Sequence, residues 1–221
     1  MAIRLMRGRR RAALATLLSI LPALVHPGVA RADALTAAQE LVREAHAHET
    51  AREYDVALRR YAQALELDPT LGDAYLGLGA LRLQMGDTRE AERVYDAGLS
   101  HVAPFPEAWL GRGRARRAMG ELREADADVE AYAAKVDDAA ALRLLASWYA
   151  DEGRPIAQLA TWRRLLTRAE RTDDPPAHKE ARLTVHALEL IVGTADPVHA
   201  PPGDAHASTV RRAMARIEAR R

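Results

Sequence analysis

Two histidines and a glutamate near the start of the chain are residue types that bind metal ions. His46 and His48 are two residues apart, so on a helix their side chains point about 200° apart and cannot hold one ion. Glu44 and His48 are four residues apart and could share a face, but the sequence supplies no third ligand. We therefore expect a solvated pair, with no metal and no other cofactor.

Two short glycine motifs, Gly77-x-Gly79 and Gly111-x-Gly113, resemble part of a nucleotide-binding loop. Neither completes the GxGxxG pattern, and neither follows a predicted strand, so they do not indicate a nucleotide site. The chain contains no cysteine, which excludes a thiol nucleophile, a thiolate metal site and a disulfide scaffold.

The remaining acidic pairs do not form an acid–base constellation. Asp137-Asp138 and Asp173-Asp174 fall at predicted helix boundaries, where aspartate commonly caps a helix. The sequence also lacks the GxSxG and HExxH motifs of hydrolases. We predict that the protein is not an enzyme.

Residues 1–34 have the three parts of a secretory signal peptide. Residues 1–11 are cationic, residues 12–25 are apolar, and small residues follow at Ala30, Ala32 and Ala34. The apolar segment is shorter than the ~20 residues that span a bilayer, which favours a cleaved signal over a retained membrane anchor. We expect a mature chain that starts at Asp33 or Leu35 in the periplasm or another extracytoplasmic location.

The charge of the mature chain argues against a nucleic-acid partner. The full sequence has 32 basic and 31 acidic residues, but residues 1–32 carry six arginines and no acid. The rest of the chain is therefore net acidic, whereas binding to phosphate backbones requires a dense basic surface.

Residues 72–105 and 106–139 are similar to each other, position by position, at one constant offset. Tyr75, Gly79, Gly86 and Ala91 of the first segment correspond to Trp109, Gly113, Gly120 and Ala125 of the second. Aromatic residues make up only 5% of the sequence, so the core must consist mainly of Ala and Leu, which favours closely packed helices. A repeat of this length predicts stacked helix pairs, an α-solenoid.

These residues resemble the tetratricopeptide repeat family. The resemblance covers about residues 38–171, in copies at roughly 38–71, 72–105, 106–139 and 139–171, and the fourth copy is one residue short. The residues that carry it are Leu41, Tyr54, Ala57, Tyr61, Pro69, Tyr75, Leu78, Gly79, Gly86, Asp87, Ala91, Tyr95, Trp109, Gly113, Gly120, Ala125, Gly153, Trp162 and Leu165. The resemblance implies an all-α, right-handed solenoid of about four helix-turn-helix repeats.

The repeat assigns specific roles to its small residues. Gly79 and Gly113 should lie where the first helix of a pair contacts the second, while Gly86 and Gly120 should end the first helices. Arg112 departs from the pattern because it replaces a leucine, and we expect looser packing there.

The remaining segments complete the domain organisation. We assign residues 1–34 to the signal, 35–171 to the solenoid and 172–192 to a capping helix or degenerate fifth repeat. The capping helix has Leu183, Ala187, Leu190 and Ile191 on its predicted apolar face. Residues 193–221 form a Pro-rich linker and a short basic helix.

Tetratricopeptide repeats imply a protein or peptide partner, held on the concave face that the first helices form. The candidate residues of this groove are Val42, His46, Leu76, Ala80, Leu83, Leu110, Arg114, Arg117, Arg143 and Ser147. The family's best-known mode clamps a terminal carboxylate with Lys, Arg and Asn at set places, which here hold Val42, His46, Asp73, Gly77, Glu107 and Gly111. Acids and glycines cannot clamp a carboxylate, so we predict that this mode is absent.

The groove instead combines the apolar residues Val42, Leu76 and Leu110 with an arginine cluster toward its far end, which suits a segment with apolar anchors and an acidic flank. The alternative is that these arginines pair with neighbours such as Asp151 or Glu107 and only solvate the surface. The predicted function is an exported scaffold or adaptor of the bacterial cell envelope. A membrane-anchored envelope protein and, less favoured, an enzyme with a site on the solenoid are the alternatives.

Overall fold

The computed structural model describes residues 27–193, with side chains from residue 32 onwards, and this range contains nine α-helices and no strand. The helices are α1 (Pro27–Thr50), α2 (Tyr54–Leu67), α3 (Gly72–Gln84), α4 (Thr88–His101), α5 (Pro106–Met119), α6 (Leu122–Lys135), α7 (Ala139–Asp151), α8 (Pro155–Arg171) and α9 (Pro175–Val192). The cationic and apolar parts of the predicted signal, the linker and the basic helix lie outside the described residues. None of the described helices is both long and apolar enough to cross a membrane.

The helices pack in sequential pairs that correspond to the four predicted repeats, α1–α2, α3–α4, α5–α6 and α7–α8, and α9 packs on α8. This arrangement confirms the all-α solenoid. The first helices also contact one another, α1 with α3 and α3 with α5, whereas α2 and α4 have no comparable contact. From α1 to α5 the first helices are therefore closer together than the second helices, as expected for the inner, concave face of a solenoid.

The helix boundaries follow from local sequence. Gly86 and Gly120 have φ angles of 85° and 82°, a left-handed conformation that ends a helix and strains other residues. Asp138 accepts a hydrogen bond from the Ala140 amide at 2.8 Å and so caps α7. Asp174 caps α9 in the same way through the Ala177 amide. These contacts confirm that the acidic pairs lie at helix boundaries.

Glycine permits the close approach of the two helices within a repeat. A Cβ atom on Gly79 of α3 would lie 2.6 Å from Cζ of Tyr95 on α4. A Cβ atom on Gly113 of α5 would lie 3.0 Å from Val129 and 3.1 Å from the carbonyl oxygen of Ala125, both on α6. The predicted role of both glycines is confirmed.

The last helix buries a different face from the one predicted. Ala181, Val185 and Leu188 are buried, and Leu159 of α8 belongs to the cluster that Val185 and Leu188 form. The predicted set of Leu183, Ala187, Leu190 and Ile191 is only partly buried, and Ile191 is 45% exposed. Both sets recur with helical spacing, so periodicity alone could not distinguish them.

Candidate functional site

The predicted groove residues lie on the four first helices, α1, α3, α5 and α7, as the repeat register requires. Leu76, Leu83 and Leu110 are half-buried, and Ala80 is exposed between them. Val42 differs because it is only 7% exposed and belongs to the core between α1, α2 and α3. We use "apolar strip" below for Leu76, Ala80, Leu83 and Leu110.

The predicted arginine cluster is mostly occupied by internal ion pairs. Arg117 pairs with Asp151 and with Glu152, and its guanidinium lies 4.9 Å from the centre of a Trp148 ring. These contacts match the alternative in which the arginines pair with their neighbours. Arg117 therefore joins α5 to the C-terminal end of α7.

Arg143 and Ser147 on α7 also have partners within the fold. Arg143 donates to Glu180 of α9 at 2.8 Å, and the Ser147 hydroxyl donates to the carbonyl oxygen of Leu144 at 2.7 Å. Arg114 is the exception, since it is exposed and forms no hydrogen bond or ion pair with any residue in the range 27–193. It is the arginine of the predicted cluster that remains available to a partner.

His46 contributes to an internal polar contact. The Tyr61 hydroxyl donates to Oε2 of Glu49 at 3.0 Å and lies 2.8 Å from Nδ1 of His46. Burial, with the hydrogen bond and negative charge of Glu49, raises the pKa of Tyr61 well above its ordinary value. The expected Glu44–His48 pair is not formed, because Glu44 pairs with Arg60 of α2 at 3.1 Å and Nδ1 of His48 lies 2.5 Å from Oε2 of Glu53.

Two tyrosine rings extend from second helices into the space between first helices. Tyr61 of α2 contacts Gly77 of α3, and Tyr95 of α4 contacts both Gly79 of α3 and Gly111 of α5. A side chain at Gly77 or Gly111 would clash with the ring beside it. Two of the six places of the family's carboxylate clamp thus have no room for a lysine, arginine or asparagine.

The Tyr95 hydroxyl differs from that of Tyr61 because it has no hydrogen-bond partner among the described residues. Tyr95 is 4% exposed, and its hydroxyl oxygen is not among the enclosed unpaired polar atoms, so a small part of it is open to solvent. Burial raises the pKa of Tyr95 to about 12, and the nearby positive charge of Arg114 opposes that increase.

A salt-bridge network behind the groove was not predicted from the sequence. Arg112 binds both carboxylate oxygens of Asp128, at 2.9 and 2.6 Å, and Asp96 at 2.6 Å. Arg116, one turn later, binds Glu92 at 2.8 Å and Asp128 at 3.0 Å. The hydrogen bond that Arg112 donates to Asp128 raises the pKa of Arg112, although burial opposes this increase. The expected loosening at Arg112 is replaced by a network that joins α4, α5 and α6.

A second network joins α6 to the turn between α7 and α8. Arg154 binds Asp126 and Glu152, and Glu152 also binds Arg117. Burial raises the pKa of Asp126, although the hydrogen bond from Arg154 partly offsets it. Burial also disfavours ionised Glu152, but the hydrogen bonds from Arg154 and Arg117 outweigh this and lower its pKa.

No group of three or more His, Asp or Glu side chains within the described range could hold a metal ion. Among the described residues, the inner face presents an apolar strip, a partly open tyrosine hydroxyl and the arginine Arg114, which has no partner there. This combination can bind a polypeptide segment through apolar contact and hydrogen bonds.

Comparison with known proteins identifies the repeated unit. A family model described as "Tetratricopeptide repeat" matches residues 49–110, which extend from the end of α1 into α5. The helix pairs in this range are tetratricopeptide repeats. No curated protein matches the sequence.

Solved structures of other tetratricopeptide repeat proteins share the fold at low sequence identity. The first such domain of Spaghetti (RPAP3), bound to an HSP90 peptide SRMEEVD, is 19% identical, with 54% of this chain and 95% of that one covered and a TM-score of 0.51. YrrB, described as having an unusual peptide-binding site, is 18% identical, with 71% and 78% covered and a TM-score of 0.53. A tetratricopeptide repeat protein from Parabacteroides merdae is 13% identical, with 72% and 62% covered and a TM-score of 0.56.

Within the tetratricopeptide repeats, sequence reasoning missed Tyr95 as a groove residue because it lies on a second helix. The signal was present in the sequence, since Tyr61 and Tyr95 are one repeat length apart and glycines occupy 77 and 111 at the same offset. Arg112 and Arg116 carried a similar signal, because they are one helical turn apart and so share a face.

Proposed function

We propose that this protein is an exported, non-catalytic scaffold of the bacterial cell envelope that holds a segment of a partner protein on its concave face. The observation that carries the binding role is the inner face itself, where the apolar strip adjoins Arg114, an arginine with no partner in the part of the chain that the structure describes. Two proteins of the same fold support it, since their structures are described as binding a peptide or having a peptide-binding site.

Export is supported by the composition of residues 1–34 and is compatible with the packing of α1. Among the residues whose side chains the structure describes, the first buried one is Ala38, so cleavage before Asp33 or Leu35 would remove none of these buried side chains. A retained anchor is the alternative, and it would tether the same solenoid to the membrane.

Fractionation of the source cells and N-terminal sequencing test the export proposal. We expect a species outside the cytoplasm that begins at Asp33 or Leu35. A full-length chain in the membrane fraction would favour the anchored alternative, and a full-length chain in the soluble cytoplasm would contradict export.

Site-specific photo-cross-linking in cells tests which surface binds. A cross-linking amino acid at the exposed Ala80 of α3 samples the inner face, and the same amino acid at the exposed Ala127 of α6 samples a second helix. We expect protein adducts from the Ala80 position that Leu76→Asp abolishes. Adducts from the Ala127 position alone would place the binding surface elsewhere.

A further inference from the structure

Tyr61 and Tyr95 occupy equivalent places in consecutive repeats but differ in the partners of their hydroxyl groups. The Tyr61 hydroxyl contacts His46 and Glu49 of α1. The equivalent positions one repeat later are Ala80 and Leu83 of α3, which cannot form hydrogen bonds with their side chains. The second tyrosine therefore keeps its hydroxyl while the groups that would satisfy it are absent.

The position of Tyr95 directs its hydroxyl towards the inner face. The ring starts on α4, passes Gly79 of α3 and reaches Gly111 of α5, where a Cβ atom would lie 2.8 Å from the hydroxyl oxygen. Arg114 follows Gly111 by three residues, so it lies on the same side of α5 about 4.5 Å further along the helix axis. The two groups are thus neighbours.

Neither the Tyr95 hydroxyl nor Arg114 has a partner in the described part of the chain. The other two arginines of the predicted cluster do have partners. Arg117 and Arg143 are held by Glu152 and Glu180 respectively. The Tyr95 hydroxyl is partly open to water and bonds to no described residue, so it adds little to the stability of the fold. Folding therefore does not account for this hydroxyl, whereas a ligand that accepts a hydrogen bond from it would.

We propose that Tyr95 and Arg114 form a subsite for the carboxylate of an aspartate or glutamate side chain in the bound segment. The inference rests on the proposed binding function and specifies the chemistry of the partner. It differs from a clamp for a terminal carboxylate, because neither residue occupies one of the places of that clamp.

A carboxylate fits the two donors because each of its oxygens accepts hydrogen bonds and its charge complements the guanidinium. Leu76 lies on α3 and Leu110 on α5. The same two helices carry the residues around the subsite, Gly79 on α3 and Gly111 and Arg114 on α5. The bound segment should therefore carry apolar residues beside its acidic residue.

Selection from a displayed library of random twelve-residue peptides tests the subsite without knowledge of the natural partner. We expect the selected peptides to share an aspartate or glutamate next to apolar residues. The best peptide and its Glu→Gln or Asp→Asn version are then titrated against the wild-type protein, Arg114→Gln and Tyr95→Phe. Loss of the charged contact should raise Kd about tenfold or more, and loss of the hydroxyl about three- to tenfold.

Arg123→Gln is the matched control, because Arg123 is exposed on α6 and has no partner among the described residues. Its Kd should equal that of the wild type. The Arg114→Gln variant should bind the amide version of the peptide as well as the acidic version, because the guanidinium that would contact the carboxylate has been removed. Thermal denaturation of each variant confirms that changes in Kd do not come from unfolding.

The outcomes separate this inference from the proposed function. Selected peptides that lose affinity with Leu76→Asp but not with Arg114→Gln or Tyr95→Phe would overturn the subsite and leave the binding groove intact. If no selected peptide depends on Leu76→Asp or on either subsite variant, both proposals are overturned. If Arg123→Gln raises Kd as much as Arg114→Gln does, the change reflects a nonspecific effect of charge, and the subsite is overturned.

Discussion

The unequal environments of Tyr61 and Tyr95 predict opposite responses to the same substitution. Tyr61→Phe removes a hydroxyl that contacts Glu49 at 3.0 Å and His46 at 2.8 Å. Tyr95→Phe removes a hydroxyl without a partner in the described chain, while the ring keeps its contacts with Gly79 and Gly111. Each variant loses one oxygen atom, so the difference between them reports the hydrogen bonds of Tyr61.

The expected change in the free energy of unfolding depends on how exposed the partners of the Tyr61 hydroxyl are. A hydrogen bond to a charged group contributes about 1.5–3 kcal/mol when its partner would otherwise be buried and unsatisfied. The side chains of His46 and Glu49 are 58% and 30% exposed, so water can replace much of what the hydroxyl supplied. We expect Tyr61→Phe to lower the free energy of unfolding by about 1 kcal/mol and Tyr95→Phe to change it by less than about 0.5 kcal/mol.

Urea denaturation followed by circular dichroism measures both values, and the melting temperature of Tyr61→Phe should fall by about 2–4 °C. Repeat proteins can unfold in stages, so the comparison should use the whole denaturation curve of each variant. If Tyr95→Phe is as destabilising as Tyr61→Phe, then the Tyr95 hydroxyl has a structural partner and the reasoning for the carboxylate subsite fails as well.

Three further predictions test the packing and the buried charges. Gly79→Leu should lower the free energy of unfolding by about 1–3 kcal/mol through overpacking. The control Arg82→Ala, on a partly exposed face, should lower it by less than about 0.5 kcal/mol. A wild-type melting curve for Gly79→Leu would refute the repeat register. Arg112→Leu should cost about 2–4 kcal/mol because it leaves Asp128 buried without its bidentate partner, and adding Asp128→Asn should recover part of that loss; an additive further loss would contradict this account. Burial raises the pKa of Asp126 above its ordinary 3.8, so the folded protein holds the proton of Asp126 more tightly than the unfolded chain does. The contribution of Asp126 to the free energy of unfolding therefore declines as the pH rises from 3.8 through the folded pKa. Asp126→Asn should therefore gain stability relative to the wild type over the same rise in pH, and a pH-independent difference in urea midpoints would exclude this.

The features that could be predicted from the sequence are those set by short-range geometry. Gly86 and Gly120 end first helices because their backbone conformation is rarely adopted by other residues. Gly79 and Gly113 mark close helix contacts because the fold uses the same packing in each successive repeat. In each case the residue type itself reports the local constraint.

The interpretation of the groove was less complete because it depended on which side chains find partners. Arg114 and Arg117 are three residues apart and look equivalent in the sequence, yet Arg117 is bound by Glu152 and Arg114 is unpaired in the described chain. That difference arises from the relative positions of α5 and the end of α7, which are 35 residues apart in sequence.

The sequence alone therefore determined the helical repeat and its register, because these follow from periodicity and from residues with few allowed conformations, while the inner position of the first helices was implied by the family resemblance. Only the tertiary structure decided that Val42 is part of the core, that α9 packs through Val185 and Leu188, and that the Tyr95 hydroxyl reaches the inner face. The physical reason is that burial and pairing depend on the distance between side chains of different helices. Helical spacing fixes the direction of each side chain but not the identity of the group that it meets.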